Sequence, residues 1–349
     1  MTRIRVLSLA LAATVLIPTA GRSASGESLQ GVYLMKRTGG EADLVIPLDA
    51  LPLHPALSPD TKHIAYMEVG AEQSAVVVAD RRGSVIARFA RSRFPGGEPV
   101  AWSPAGRRIA YFQVRTTQRV PYESIVFSTS AADGSGRRDL AKAPLWRIIP
   151  RGPTWSPDGR SVAWARERGE ETLDVEVIAV RSGQRRLVAS DLEDEFDPRW
   201  SPDGRLILFT RLGLDSDWET LWTVHPKTLE QRRVTRRYQG VTAAWSPDGS
   251  KIAFTGAAPG DDAARLFVID RTGKHLRALA TGLQYSRPAW SPEGRSIAFA
   301  TESGIEVLAP DGSRRRKLVQ FRETEIDDLA WSADGSLLIF LAEPPVDHD

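Results

Sequence analysis

The chain has 349 residues, 42% hydrophobic and 26% charged, the composition of an ordinary globular protein. Its formal net charge of +2 gives no global field that announces nucleic acid or an acidic membrane as partner, although charge can still be segregated by face. The absence of cysteine excludes a disulfide framework, a thiolate metal site, a cysteine nucleophile and a lipidated cysteine together.

At the N-terminus, Arg3 and Arg5 precede an apolar run from Val6 to Ile17 that Pro18, Gly21 and Arg22 interrupt. A membrane-spanning helix needs about 20 apolar residues, so this shorter run fits a secretory signal peptide over residues 1–25, with Ser23-Ala24-Ser25 as the cleavage region. No later segment is long and apolar enough to span a bilayer. The mature chain is therefore expected in the periplasm or the secreted fraction, held together by its core alone.

Next come two short strand patterns, Gly31 to Lys36 and Asp43 to Ile46, separated by Gly39-Gly40. A repeat then dominates the chain. Leu57-Ser58-Pro59-Asp60 opens the series, followed by W-S-P-x-G or W-S-A-D-G at Trp102, Trp155, Trp200, Trp245, Trp290 and Trp331. The serine-to-serine steps are 45, 53, 45, 45, 45 and 41 residues, the period of a four-stranded propeller blade. Proline pre-sets φ at the second position of a type I turn, aspartate tolerates the third, and glycine closes the fourth. Each turn leads into a strand such as Ile109-Ala110-Tyr111 or Ile252-Ala253-Phe254, where alternating large and small side chains suit burial between stacked blades. The repeated tryptophan is expected to fill that layer. Its recurrence at one repeat position marks packing rather than a ligand cage.

A second hairpin follows in each unit, except at Trp331, where the chain ends too soon. The strands after Gly31 supply the missing half and leave no long exposed edge. The expected fold is thus an all-β, seven-bladed β-propeller over residues 29–342, with N-terminal strands completing the C-terminal blade and a tail at 343–349. The 53-residue step places extra residues in the second blade, between Arg115 and Leu145, where rim insertion is well tolerated.

The W-S-P-D-G turn with its I-A-F strand and second hairpin resembles the repeat of TolB-type propellers over residues 29–342. TolB proper carries an α/β domain before a six-bladed propeller. Here the repeats start soon after the signal peptide and number seven, so the resemblance implies a TolB-like fold rather than TolB itself. The repeat is also similar to the propellers that cap prolyl-oligopeptidase-type peptidases, but the sequence contains no G-x-S-x-G nucleophile elbow. A third resemblance is to the oligogalacturonate lyase propeller, whose metal sits on a histidine cluster at the central channel.

Propeller sites usually lie where the segments leading into the innermost strands meet the channel. The residues just before each repeat turn are therefore the candidate binding set: His54, Glu98, Arg151, Asp197, Gln239, Arg287, Asp327 and Asp328. They vary from blade to blade while the turn stays constant, as a site on a repeated scaffold should. The same face is expected to be acid-rich, through Glu170-Glu171, Glu193-Asp194-Glu195, Asp215, Asp217, Glu219, Asp261-Asp262, Glu323 and Glu325. Basic residues collect on the outer hairpins, as Arg137-Arg138, Arg185-Arg186, Arg232-Arg233 and Arg314 to Lys317. An acidic mouth could steer a basic partner or hold a divalent cation on oxygen ligands. Of the five histidines only His54 falls at a mouth position, so a three-histidine metal site cannot be assembled. No phosphate loop or basic-aromatic surface points to nucleotide or nucleic acid. The expectation is a non-catalytic binding propeller without cofactor, whose partner is a protein or an envelope polymer. The competing expectation is a carbohydrate lyase or hydrolase with its site at the channel, where paired acids such as Asp197 and Asp327 would do the acid–base work.

Overall fold

The computed structural model describes residues 31–47, 52–70, 73–92, 100–116, 123–144, 152–168, 172–213, 218–261, 263–321 and 324–343. Every strand pairs antiparallel, in five four-stranded sheets and one eight-stranded sheet. Sheet 1 joins the two ends of the chain, in the order Ala42–Pro47, Gly31–Lys36, Leu337–Glu343, Glu325–Trp331. The register Gly31↔Ala342 through Lys36↔Leu337 makes the closure that the missing C-terminal hairpin requires. Sheets 2 to 5 begin at Pro52, Ala101, Thr154 and Asp194 and follow chain order from the innermost strand outward. Sheet 6 starts at Gln239; its two four-strand meanders are linked by the single pair Leu283↔Thr301. The architecture is an all-β propeller.

The repeat motif explains how successive sheets hold one another. In every turn but the first, where Thr61 takes its place, a glycine N–H donates to the serine carbonyl, as Gly159 to Ser156 at 2.8 Å. In the five turns that carry aspartate the serine hydroxyl donates to it, as Ser156 to Asp158 at 2.6 Å. The tryptophan before the turn reaches the innermost strand of the preceding repeat. Trp102 Nε1 donates to the Ala56 carbonyl, Trp155 to Ala101, Trp245 to Arg199, Trp290 to Ala244 and Trp331 to Ala289, at 3.0–3.3 Å. Trp200 breaks the pattern, since its buried Nε1 has no hydrogen-bond partner. The second strand of each sheet is buried on both faces, with Ile109, Ala110, Tyr111, Val162, Ala163 and Trp164 all at 0% exposure. Apolar layers between neighbouring sheets, such as Phe112, Phe127 and Trp164 between sheets 3 and 4, form the core.

The strand directions sort the loops onto two faces. The innermost strand descends to the repeat turn, the second rises, the third descends to an outer hairpin turn, and the fourth rises again. Repeat turns and outer turns therefore share one face, here the turn face. Contacts between them follow, as Val180 N to the Arg160 carbonyl and Arg271 to Asp203 at 3.7 Å. The segments leading into the innermost strands lie on the opposite, channel-mouth face. No helix among the described residues is long and apolar enough to cross a membrane. The signal-peptide reading, over residues 1–25, falls outside the described residues, as do 344–349 at the other end.

Candidate functional site at the channel mouth

Four innermost strands contain a bulge ahead of their last residues, ending on Leu57 in sheet 2 and on tryptophan in the others. Residues 54–55, 197–198, 240–241 and 328–329 are each inserted where the partner strand advances by one. The first residue of every bulge has positive φ: His54 52°, Asp197 52°, Gly240 62° and Asp328 52°. That conformation costs a non-glycine residue about 1 kcal/mol, and bulges re-aim side chains away from the ladder. Glycine occupies the position only in sheet 6; the other three strands keep a titratable side chain there despite the strain. Backbone strain of this kind concentrates at functional sites.

These side chains come together. His54 Nδ1 lies 2.9 Å from Asp328 Oδ2, joining sheets 2 and 1 across 274 positions of sequence. Asp197 in sheet 5 accepts from Arg199 at 2.7 Å and from Arg287, in sheet 6, at 2.8 Å through both carboxylate oxygens. Asp197 is buried, at 7% side-chain exposure, whereas the two arginines and the His54–Asp328 pair reach solvent. The two groups are electrostatically linked. Burial opposes ionisation of Asp328, but the His54 charge and hydrogen bond, with Arg287 and Arg199, hold it below the usual carboxylate range. Asp327 behaves oppositely. Its side chain is exposed, yet desolvation by its neighbours, and then the adjacent Asp328 charge, push it up to about 6 against the pull of His54 and Arg287. Burial and the charges of Asp327 and Asp328 also raise Glu343. Burial, followed by the like charge of Arg287, pushes Arg199 down.

Five of the eight residues expected from sequence thus converge: His54, Asp197, Arg287, Asp327 and Asp328. Gln239 lies exposed in the strand Gln239–Trp245, one residue before the Gly240 bulge, as Asp327 lies before the bulge of sheet 1. Glu98 and Arg151 fall outside the described residues. Arg199 and Glu343 are members that the sequence reading missed. Arg199 stands two residues beyond Asp197 in the same strand, and Glu343 comes from the second strand of sheet 1.

The expected acidic rim is partly corrected. Glu195 is fully buried, not solvated, and accepts from Arg211 at 2.6 Å. Arg211 also meets Asp191 at 3.4 Å and Glu193 at 3.6 Å and stacks 4.3 Å over the Trp222 ring. Burial pushes Glu195 up to about 7 despite Arg211. Glu170, Glu171, Asp215, Asp217, Asp262 and Glu323 lie outside the described residues. Among the described residues, no three His, Asp or Glu side chains come together as metal ligands. The Asp197 and Asp328 carboxylates are instead held by arginine and histidine.

The profile of the TolB beta propeller domain matches residues 107–347, more than half of the chain. The chain belongs to the TolB β-propeller family. No curated protein matches it significantly. Among solved structures, this TolB-type propeller is similar to TolB from Acinetobacter baumannii, at 18% identity over 81% of this chain and 64% of that one, with a TM-score of 0.52. It is also similar to oligogalacturonate lyase from Vibrio parahaemolyticus, at 10% identity over 93% and 100% of the two chains, with a TM-score of 0.66. Prolyl oligopeptidase B from Galerina marginata matches at 14% identity over 84% of this chain and 46% of the peptidase, with a TM-score of 0.58. At these identities the likeness is one of fold. The TolB-type propeller spans less than two thirds of the Acinetobacter TolB and less than half of the peptidase.

Proposed function

We propose that this TolB-type propeller is a non-catalytic binding module, exported to the periplasm or secreted, that presents its channel mouth to a protein or an envelope polymer. The proposed ring has seven blades, with the two meanders of sheet 6 taken as separate blades joined at Leu283↔Thr301. The observation that carries the binding reading is the set of bulges that turn His54, Asp197 and Asp328 from three different sheets into one charged cluster. Within it, arginines face a carboxylate and histidine faces another, so the cluster is a set of paired donors and acceptors suited to exchanging partners with an incoming polar chain. No nucleophile and base stand paired in it among the described residues.

One observation favours a second reading, a carbohydrate-active enzyme. Asp327, raised to about 6 beside the His54–Asp328 pair, is a carboxyl able to give and take protons near neutral pH. The test is affinity capture from envelope extract with the native protein and with Asp197→Ala/Asp327→Ala/Asp328→Ala. A protein or polymer held by the native form and lost by the variant supports the binding module. Turnover of a polysaccharide by the native form, abolished by Asp327→Ala, would replace it with the enzyme reading.

A further inference from the structure

The turn face carries a feature that the channel-mouth reading does not use. The outer hairpin turns span residues 36–43, 80–84, 131–138, 180–186, 225–233, 270–277 and 309–317, and together hold 19 Lys and Arg against 7 Asp and Glu. The net of +12 stands against +2 for the whole chain, so positive charge is concentrated on these turns. The repeat turns beside them do not reverse this, because their aspartates alternate with Lys62, Arg107, Arg160, Arg205 and Arg295.

A second, independent observation falls on the same turns. The exposed large apolar side chains among the described residues are Val85, Ile86, Leu192, Leu229, Leu276 and Tyr285. Four of these, Val85 at 47% exposure, Ile86 at 55%, Leu229 at 42% and Leu276 at 45%, lie on or directly beside outer turns of sheets 2, 5 and 6. Leu229 sits at the tip of its turn with φ of 65°, a strained conformation that presents it outward. Three arginines brace the ring of turns. Arg138 donates to the Arg181 carbonyl at 2.9 Å, Arg186 to that of Lys227 at 2.7 Å, and Arg316 to those of Arg37 and Thr38 at 2.9 and 3.1 Å, each reaching the next sheet's turn.

We propose that the turn face docks on an anionic lipid bilayer, with the outer-turn arginines and lysines against headgroup phosphates and Val85, Ile86, Leu229 and Leu276 inserted among the headgroups. The geometry favours a surface over a linear polyanion, since the basic turns are spread around a whole face rather than along a groove. Basic side chains near an anionic leaflet contribute cumulatively, and shallow apolar insertion adds a part that salt does not screen. This docking is independent of the channel-mouth proposal and leaves the mouth pointing away from the membrane.

The test is vesicle flotation of the full chain with phosphatidylglycerol–phosphatidylethanolamine vesicles and with phosphatidylcholine vesicles. The native protein should float with the first and not the second, and lose most binding when salt is raised from 50 to about 500 mM. Arg277→Glu/Arg314→Glu should weaken binding at least tenfold. Arg236→Glu/Arg237→Glu, the same charge change near the mouth end of the outer strand of sheet 5, should leave it within about twofold. Val85→Ser/Ile86→Ser/Leu229→Ser/Leu276→Ser should weaken it several-fold and remove the salt-resistant part, a readout that survives if the charge-reversed variant does not fold. Absence of flotation at low salt, equal flotation with phosphatidylcholine, or equal loss in the two charge-reversed variants would overturn the proposal. Retention on soluble heparin without flotation would overturn it in favour of a polyanionic polymer.

Discussion

Two seams between sheets are built from one repeat and filled by opposite chemistry. In sheet 5 the second strand reads Ile207-Leu208-Phe209-Thr210-Arg211, and 45 residues on, in sheet 6, it reads Ile252-Ala253-Phe254-Thr255-Gly256. Where sheet 5 places Arg211 against Glu193 and Glu195, sheet 6 places the ring of Tyr238 at the position of Glu193, over Gly256. A Cβ on Gly256 would stand 3.2 Å from that of Tyr238, so a larger residue there would need Tyr238 to give by a few tenths of an ångström. Tyr238, Phe254 and Phe267 then pack with centroids 5.0–5.1 Å apart. The same backbone thus tolerates an ionic plug and an aromatic one, because position within the repeat fixes where a side chain points and not what it is. The two differ in what happens when they are damaged. Aromatic packing loses contacts in proportion to the atoms removed, whereas an ionic plug stripped of one member leaves a buried charge behind.

The largest effect should come from breaking the ionic seam on one side. Arg211→Met leaves Glu195 buried without its cation and should lower stability by about 3–5 kcal/mol, read from urea unfolding. Arg211→Met/Glu195→Met removes both charges and should recover most of that loss. A double variant as unstable as the single one would mean that Arg211 acts through packing on Trp222 instead.

A smaller effect, of opposite sense to ordinary acid denaturation, should appear in the pH dependence. The carboxyl of Glu195 titrates near 7 in the fold and near 4.5 when unfolded, so between those values the folded state binds more protons. Stability contributed by this group is therefore lost as pH rises from about 4.5 to 7. Thermal unfolding followed across that window should show the fall in the native protein, and Glu195→Gln should flatten it. An unchanged slope in the variant would assign the dependence to another group, with Asp327 first in line.

The smallest expected difference compares two tryptophans of the repeat. Trp102→Phe removes the hydrogen bond to the Ala56 carbonyl and should cost about 1 kcal/mol beyond the loss of ring area. Trp200→Phe removes an indole N–H that has no partner, so it should cost less. Equal losses, measured by denaturant midpoints, would show that the ring matters and the N–H does not.

Much of the fold was legible in the sequence because local chemistry repeats. A Ser-Pro-Asp-Gly turn needs only its own four residues, and an I-A-F strand shows its burial in its own alternation. Both therefore recur along the chain with single-residue variations, and the unpaired hairpin at Trp331 foretold its closure by the strand beginning at Gly31. The channel mouth was legible only as a set of positions. That His54, Asp197 and Asp328 turn towards Arg287 and Asp327 goes with bulges of one extra residue, which the sequence marks weakly. Glu195 looked like a rim acid because its neighbours in the chain are acids; Arg211, on the adjacent strand, is what buries it. The sequence by itself determined the repeated unit, its turn chemistry and its ring closure, since these rest on interactions within a few residues or on a pattern repeated along the chain. Only the tertiary structure decided which charges face each other and which face they occupy, because a one-residue bulge reverses a side chain's direction and a charge's partner comes from whichever sheet lies next to it.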